Sequence, residues 1–164
     1  MVKISLVIKA ELSNVTDLRP AEDDHSWNFK IKCTSCHEVD KNSITIAADT
    51  QSKVSGSRGE ANLVMRCKNC KREGSVSIIS DPVPYTLEDS ETKKPVLDME
   101  WRGLEPVDFE PRDGWVAKGA DSPTTFDIDL TDREWYDYDE EASTEVSITE
   151  MSFYFEHTKD KKKK

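Results

Sequence analysis

The sequence predicts a mainly β protein, with antiparallel sandwich or tent-like sheets, two related halves packed as one unit, and at most one short helix. Three observations predict it. Apolar residues recur with period two along most of the chain, clusters of Gly, Pro, Asp and Ser separate the alternating runs, and a weak internal repeat relates the first half to the second.

The elements follow in order. Ile4, Leu6, Ile8, Ala10 and Leu12 alternate with Lys3, Ser5, Val7, Lys9 and Glu11, the pattern of a half-buried strand. Trp27, Phe29, Ile31 and Cys33 repeat it against Asn28, Lys30 and Lys32. Further strands are expected at residues 44–48, 62–67, 75–80, 96–102, 124–130 and 145–156. In the last of these the apolar parity slips, Val146 and Ile148 being followed by Met151, Phe153 and Phe155, so a β-bulge is expected near Thr149 and Glu150. The single helix candidate starts at Thr131-Asp132-Arg133-Glu134, which reads as a capping box, with Trp135 and Tyr138 three apart; a turn-rich loop is the alternative.

The repeat aligns residues 10–15 with residues 99–104. Leu18-Arg19-Pro20 then matches Phe109-Glu110-Pro111, with two residues inserted in the second copy, and a tryptophan follows each proline, Trp27 and Trp115. Residues 43–50 match residues 125–132, and the second copy contains no cysteine.

Composition narrows the function. Of 164 residues, 35% are hydrophobic and 34% charged, a thin core that leaves room for a staple. No apolar stretch approaches the roughly 20 residues of a membrane span, and the run after Met1 is interrupted by Lys9 and Glu11, so no membrane association is expected. The expected location is the cytoplasm, with the nucleus as a second possibility, where four cysteines serve as ligands rather than disulfides. The net charge of −10 disfavours a nucleic-acid partner. It is unevenly spread: residues 1–80 hold 12 basic and 10 acidic side chains, residues 81–164 hold 11 and 23.

The chemistry lies in Cys33-Thr34-Ser35-Cys36 and Cys67-Lys68-Asn69-Cys70, two C-x-x-C motifs separated by 30 residues. Each falls where an expected strand ends. Each can form a knuckle, a tight turn presenting two thiolates to one ion, and two knuckles complete a tetrahedral four-sulfur set suited to Zn²⁺. Iron, Cu(I) and cadmium remain open to the same ligands. Lys30, Lys32, Arg66, Lys68, Lys71 and Arg72 flank the motifs and would either support the anionic site or form an ordinary solvated face. A thioredoxin-like redox pair needs a helix after the motif, whereas Cys70 runs into Lys71-Arg72-Glu73-Gly74, a turn before another strand. A catalytic zinc would keep an open position.

His37 is expected on the surface or beside the sulfurs, and His25 and His157 exposed. Asp127 and Asp129, and Asp137, Asp139, Glu140 and Glu141, read as an acidic solvated face. With no phosphate loop, nucleophile elbow or H-E-x-x-H motif, the chain is expected not to be an enzyme.

Residues 29–36, 58–73, 102–109 and 135–140 together resemble the eukaryotic CXXC-motif-containing zinc-binding proteins, an uncharacterised protein family, and the resemblance covers residues 1–156. It implies a small β protein with one structural zinc per chain on Cys33, Cys36, Cys67 and Cys70, and no established catalytic activity. His37 departs from the glycine expected after the first knuckle. In residues 102–109, Gly103 and Pro106 are expected to set a turn across which Arg102 and Glu105 pair, with an exposed recognition loop as the alternative.

The expected organisation is a zinc-binding β half at 1–80, an acidic cysteine-free β half at 88–158, and a flexible lysine-rich tail at 159–164. The expected function is a non-enzymatic, monomeric structural zinc protein acting as an adaptor or interaction module for a protein partner. The alternatives are a zinc- or copper-handling protein, or an RNA- or ribosome-contacting module using the basic knuckle face.

Overall fold

A computed structural model of the chain describes residues 2–22, 25–47, 52–53 and 60–158. The first half supplies β1 (Val2–Ser13), β2 (Val15–Pro20), β3 (Ser26–Cys33), β4 (Ile44–Ala47), β5 (Ser52–Lys53), β6 (Glu60–Ala61), β7 (Leu63–Arg66) and β8 (Glu73–Ile78). The second supplies β9 (Lys94–Arg102), β10 (Leu104–Glu110), β11 (Trp115–Gly119), β12 (Thr125–Ile128), β13 (Trp135–Asp139) and β14 (Thr144–Thr158). All pairings are antiparallel.

A central six-stranded sheet runs β13-β14-β1-β9-β8-β7, and two lateral sheets, β10-β3-β4 and β12-β11-β2, pack on its apolar face. β5 and β6 pair separately. The alternation read from β1 buries Ile4, Leu6, Ile8, Ala10 and Leu12. The lateral sheets close over them with Trp27, Phe29, Phe109 and Trp115, which pack edge-on or tilted: Trp27 and Trp115 centroids lie 5.8 Å apart, Phe29 and Phe109 5.1 Å. Such pairs add about 0.5–1.5 kcal/mol each beyond their burial, which helps a chain with few apolar residues.

β1 passes into β2 through Asn14 at φ 62, and β9 into β10 through Gly103 at φ 75. These left-handed residues turn the chain from the central sheet into a lateral one. A Cβ on Gly103 would lie 3.0 Å from the Glu73 carbonyl oxygen.

The aligned repeat has a structural counterpart. β1, β2, β3 and β4 correspond to β9, β10, β11 and β12, and β7 and β8 to β13 and β14, so the central sheet maps onto itself in reverse and the lateral sheets onto each other. Trp27 lies opposite Ile46 as Trp115 lies opposite Ile128. The arms are exchanged: β2 pairs with β11, and β10 with β3.

The bulge expected near Thr149 and Glu150 is present. Lys9 pairs with Ser152 and Glu11 with Thr149, which leaves an extra residue on β14, and Glu150 takes φ 54. Other expectations need correction. Residues 131–134 do not start a helix, because the Thr131 N–H and hydroxyl both donate to Asp129 Oδ1, at 2.9 and 2.5 Å, and Arg133 takes φ 62; Trp135 then opens β13 and packs on Phe126. Among the described residues the helical element is a single 3₁₀ turn, Leu87–Asp89, anchored by the Thr86 N–H and hydroxyl donating to Asp89 Oδ2.

Residues 102–109 are neither a turn throughout nor a loop. After Gly103 they form β10, an edge strand that buries Leu104 and Phe109, and Glu105 pairs with Lys32 at 3.3 Å rather than with Arg102. Pro106 is tolerated because the strand is at an edge. β2 and β11 were not anticipated. Ala48 and the lysine tail at 159–164 lie outside the described residues.

Candidate metal centre

β3 ends in Cys33 and β7 leads into Cys67, and each sulfur pair is set by the same backbone turn. The Cys33 N–H donates to Glu38 O at 3.0 Å and the His37 N–H to Cys33 O at 2.9 Å; in the second turn the Cys67 N–H donates to Arg72 O and the Lys71 N–H to Cys67 O, both at 2.9 Å. His37 and Lys71 take φ 66 and 68, left-handed positions that favour glycine. Inside each turn, N–H groups point at sulfur: Ser35 to Cys33 Sγ at 3.4 Å, and Asn69 and Cys70 to Cys67 Sγ at 3.4 and 3.5 Å.

The two turns meet because the Thr34 N–H donates at 3.1 Å to the carbonyl of Gly103, the turn that also lies against Glu73 at the start of β8. All four sulfurs lie within 4.8 Å of one another, with Cys33–Cys70 and Cys36–Cys67 each at 3.6 Å. A tetrahedral ion with Zn–S bonds of about 2.3 Å requires sulfurs about 3.8 Å apart, so spacing and donor softness both fit Zn²⁺. Cys33 and Cys67 are buried, Cys36 is half-buried and Cys70 exposed. His37 is exposed and outside the cluster.

The thiols are unequal. The Cys36 and Ser35 N–H groups hold Cys33 below its ordinary value against the effect of burial. The Asn69 side chain and the Glu38 N–H bring Cys36 down to about 6. Cys70 is favoured as a thiolate by the Arg72 N–H, but partial desolvation by the surrounding turn and the neighbouring Cys33, Cys67 and Cys36 thiols push it up to about 11. Four negative charges so close together repel one another, and a bound dication removes that penalty.

The flanking cations are largely engaged locally. Arg66 reaches Glu73 at 3.7 Å and Lys71 O at 3.2 Å, Lys71 reaches Lys68 O at 3.1 Å, and Lys30 reaches Lys41 O at 3.0 Å. Arg72 links the knuckles by donating to Ser35 Oγ at 3.4 Å. A cavity of about 320 Å³ opens beside Cys33 and Cys67, with Ile31, Val39, Met65 and Leu104 as its apolar lining.

Asn69 was not singled out from the sequence for its contact with Cys36. Two other readings are corrected. His25 is not simply exposed: it is half-buried, with its ring edge-on to Trp27 and Trp115 at 4.9 and 5.0 Å. Asp139 is not part of a solvated face but fully buried, while Asp127, Asp129, Asp137, Glu140 and Glu141 are exposed. Among the described residues no helix is long and apolar enough to cross a membrane.

Comparison with known proteins agrees with this centre. Residues 5–156 match the model of the family described as CXXC motif containing zinc binding protein, eukaryotic. The human CXXC motif containing zinc binding protein is 43% identical over 157 residues, covering 94% of this chain and 98% of the relative. The UPF0587 protein C2D10.03c of Schizosaccharomyces pombe is 43% identical over 154 residues, covering 93% and 97%. The crystal structure of C1orf123 superposes with a TM-score of 0.90 at 42% identity, covering 95% of this chain and 99% of that one. A hypothetical protein from Plasmodium falciparum, 23% identical with a TM-score of 0.84 over 95% of this chain and 100% of that one, shares the fold. With its paired C-x-x-C turns and full-length similarity, the chain belongs to the eukaryotic family of CXXC motif containing zinc binding proteins.

Proposed function

We propose that the chain is a non-enzymatic structural zinc protein of the cytoplasm, a monomer that serves as an adaptor or protein-interaction module. One Zn²⁺ per chain would be held by Cys33, Cys36, Cys67 and Cys70. The observation that carries the reading is the convergence of four sulfurs within 4.8 Å from two different sheets. Four thiolates complete a tetrahedral shell and leave no position for water or substrate, which favours a structural ion. The ion would clamp the end of lateral strand β3 to the β7–β8 hairpin of the central sheet.

The surface suited to a partner is on the other half. Tyr136 and Tyr138 are 65% and 50% exposed on the edge strand β13, beside Glu134, Asp137 and Glu140. Aromatic area bordered by carboxylates supports a basic protein partner. RNA contact through the knuckle face has less support, since Arg66, Lys30 and Lys32 already have local acceptors.

Metal analysis of the purified chain should find one zinc, and chelation should lower the melting temperature; a zinc-free protein of unchanged stability would refute the structural role. Tyr136→Ser with Tyr138→Ser should leave the melting curve unchanged and abolish retention of partners that copurify from the native cell. Partner retention by that variant would refute the docking face.

A second reading, metal handling, is favoured by the exposed Cys70 and half-buried Cys36, which a competing thiolate could reach. Loss of zinc to a chelator within minutes while the fold persists would select it over the structural reading.

A further inference from the structure

The strand correspondences place a counterpart of each knuckle in the second copy. β11 ends at Gly119 as β3 ends at Cys33, and both ends are held alike. The Gly119 N–H donates to Thr124 O at 2.8 Å as the Cys33 N–H donates to Glu38 O at 3.0 Å, and the Ala120 N–H donates to Asn14 O at 2.9 Å as the Thr34 N–H donates to Gly103 O at 3.1 Å. Asn14 and Gly103 are themselves the matched left-handed residues of the two strand-to-arm turns.

The second pair of loops agrees independently. The Glu141 and Ala142 N–H groups donate to Asp139 Oδ1 at 3.1 and 3.3 Å, as those of Asn69 and Cys70 donate to Cys67 Sγ at 3.4 and 3.5 Å. Ser143 takes φ 55 where Lys71 takes φ 68. Counted from these anchors, Gly119, Ser122, Asp139 and Ala142 stand at the positions of Cys33, Cys36, Cys67 and Cys70.

These residues also converge. The Ser122 hydroxyl donates to Asp139 Oδ2 at 2.5 Å, at the place of the 3.6 Å contact between Cys36 and Cys67. A Cβ on Gly119 would collide with both Ser122 Oγ and Asp139 Oδ2, so a side chain there points into the cluster. Thr124 adds a hydroxyl bond to Asp139 Oδ1 at 3.1 Å. The carboxylate is fully buried and ringed by donors from both loops, an environment that satisfies an anion and repels a cation.

We infer that residues 119–144 hold a second copy of the four-sulfur metal site that has become metal-independent. The Asp139 carboxylate joins the two loops by accepting hydrogen bonds, as the ion joins the knuckles by coordination. The loops differ at one point. Pro123 stands where His37 does, and its ring excludes both the left-handed backbone and the N–H that His37 donates to Cys33 O.

The inference rests on the four thiols being the metal site, and its test keeps the two separable. The full chain carrying Gly119→Cys, Ser122→Cys, Pro123→Gly, Asp139→Cys and Ala142→Cys is titrated with Co²⁺ beside the unaltered chain, following the thiolate-to-cobalt absorption. One equivalent for the unaltered chain and two for the variant are expected. No uptake by the unaltered chain refutes the thiol site itself. One equivalent in both, with matching circular dichroism, overturns the inference.

A variant that keeps Gly119 and Pro123 and changes only Ser122, Asp139 and Ala142 to cysteine is the gentler form, also expected to take a second equivalent. Hydrogen exchange on the unaltered chain needs no substitution. After chelation the Glu141 and Ala142 amides should stay protected while those of Asn69 and Cys70 exchange at least ten-fold faster. Equal loss at both pairs overturns the metal independence.

Discussion

Cys36 Sγ lies 3.6 Å from Cys67 Sγ, although 31 positions separate the two residues in the chain. The contact bridges a lateral sheet and the central sheet, so breaking it affects more than one turn. Replacement of either by serine is expected to lower zinc affinity by at least about 100-fold, as the loss of one of four ligands in a closed site implies. The buried Cys67 should cost more stability than the exposed Cys70, which serine versions of each will show in metal competition and thermal melts.

Removing the metal leaves the cluster with thiols that oppose one another's ionisation. Zinc supplies about 10 kcal/mol or more in zinc-finger peptides. Chelation should therefore lower the melting temperature by at least about 10 °C. Hydrogen exchange should rise first at residues 33–38 and 67–73. A uniform rise along the chain would contradict a clamp local to one end.

His37 and Lys71 carry side chains where the backbone favours glycine. His37→Gly and Lys71→Gly should each stabilise the holo protein by about 0.5–1 kcal/mol, since the left-handed penalty exceeds the extra entropy glycine brings. Denaturant midpoints of the metal-loaded proteins will measure this. The exposed His37 gives the cleaner comparison, since Lys71 also bonds Lys68 O.

Asp139 is held below the ordinary carboxylate range by the Ser122 hydroxyl, assisted by the Ala142 and Glu141 N–H groups and Thr124. A depressed folded pKa stabilises the protein above the unfolded value near 3.8, and that contribution is lost as pH falls through the folded value. Asp139→Asn should lower the melting temperature by roughly 5 °C at pH 7. It should also flatten the decline in stability below about pH 4. Urea midpoints from pH 3 to 7 for both proteins test the sign; an unchanged acid slope would assign the decline to Asp89, Asp129 and Glu110, whose pKa values are also lowered.

The sequence disclosed what depended on local pattern. Alternating Ile4, Leu6 and Ile8 marked β1, and the slipped parity after Ile148 placed a bulge near Thr149 and Glu150, because one face of each strand is buried and a register error exposes it. β2 and β10 stayed hidden because they are edge strands that each carry a proline, Pro20 and Pro106, and Pro106 with Gly103 read as a turn. β13 resembled a helix because Thr131 and Glu134 have capping-box spacing, while the actual partner of Thr131 is Asp129, behind it in the chain. The four cysteines were legible because metal ligation permits few residue types. Their counterparts Gly119, Ser122, Asp139 and Ala142 share no such chemistry, and only the register of hydrogen bonds aligns them.

β1 (Val2–Ser13) is synthesised long before β14 (Thr144–Thr158), yet they lie side by side within the central sheet, Lys3 opposite Thr158 and Ser13 opposite Ser147. At ribosomal speeds of about 5–20 residues per second, β1 waits on the order of 10 s for that neighbour. During the wait its Ile4-Leu6-Ile8 face and one hydrogen-bonding edge have no finished sheet to join. The nascent chain is thus most open to chaperones, and to mispairing with another copy, until the fifteen-residue β14 emerges.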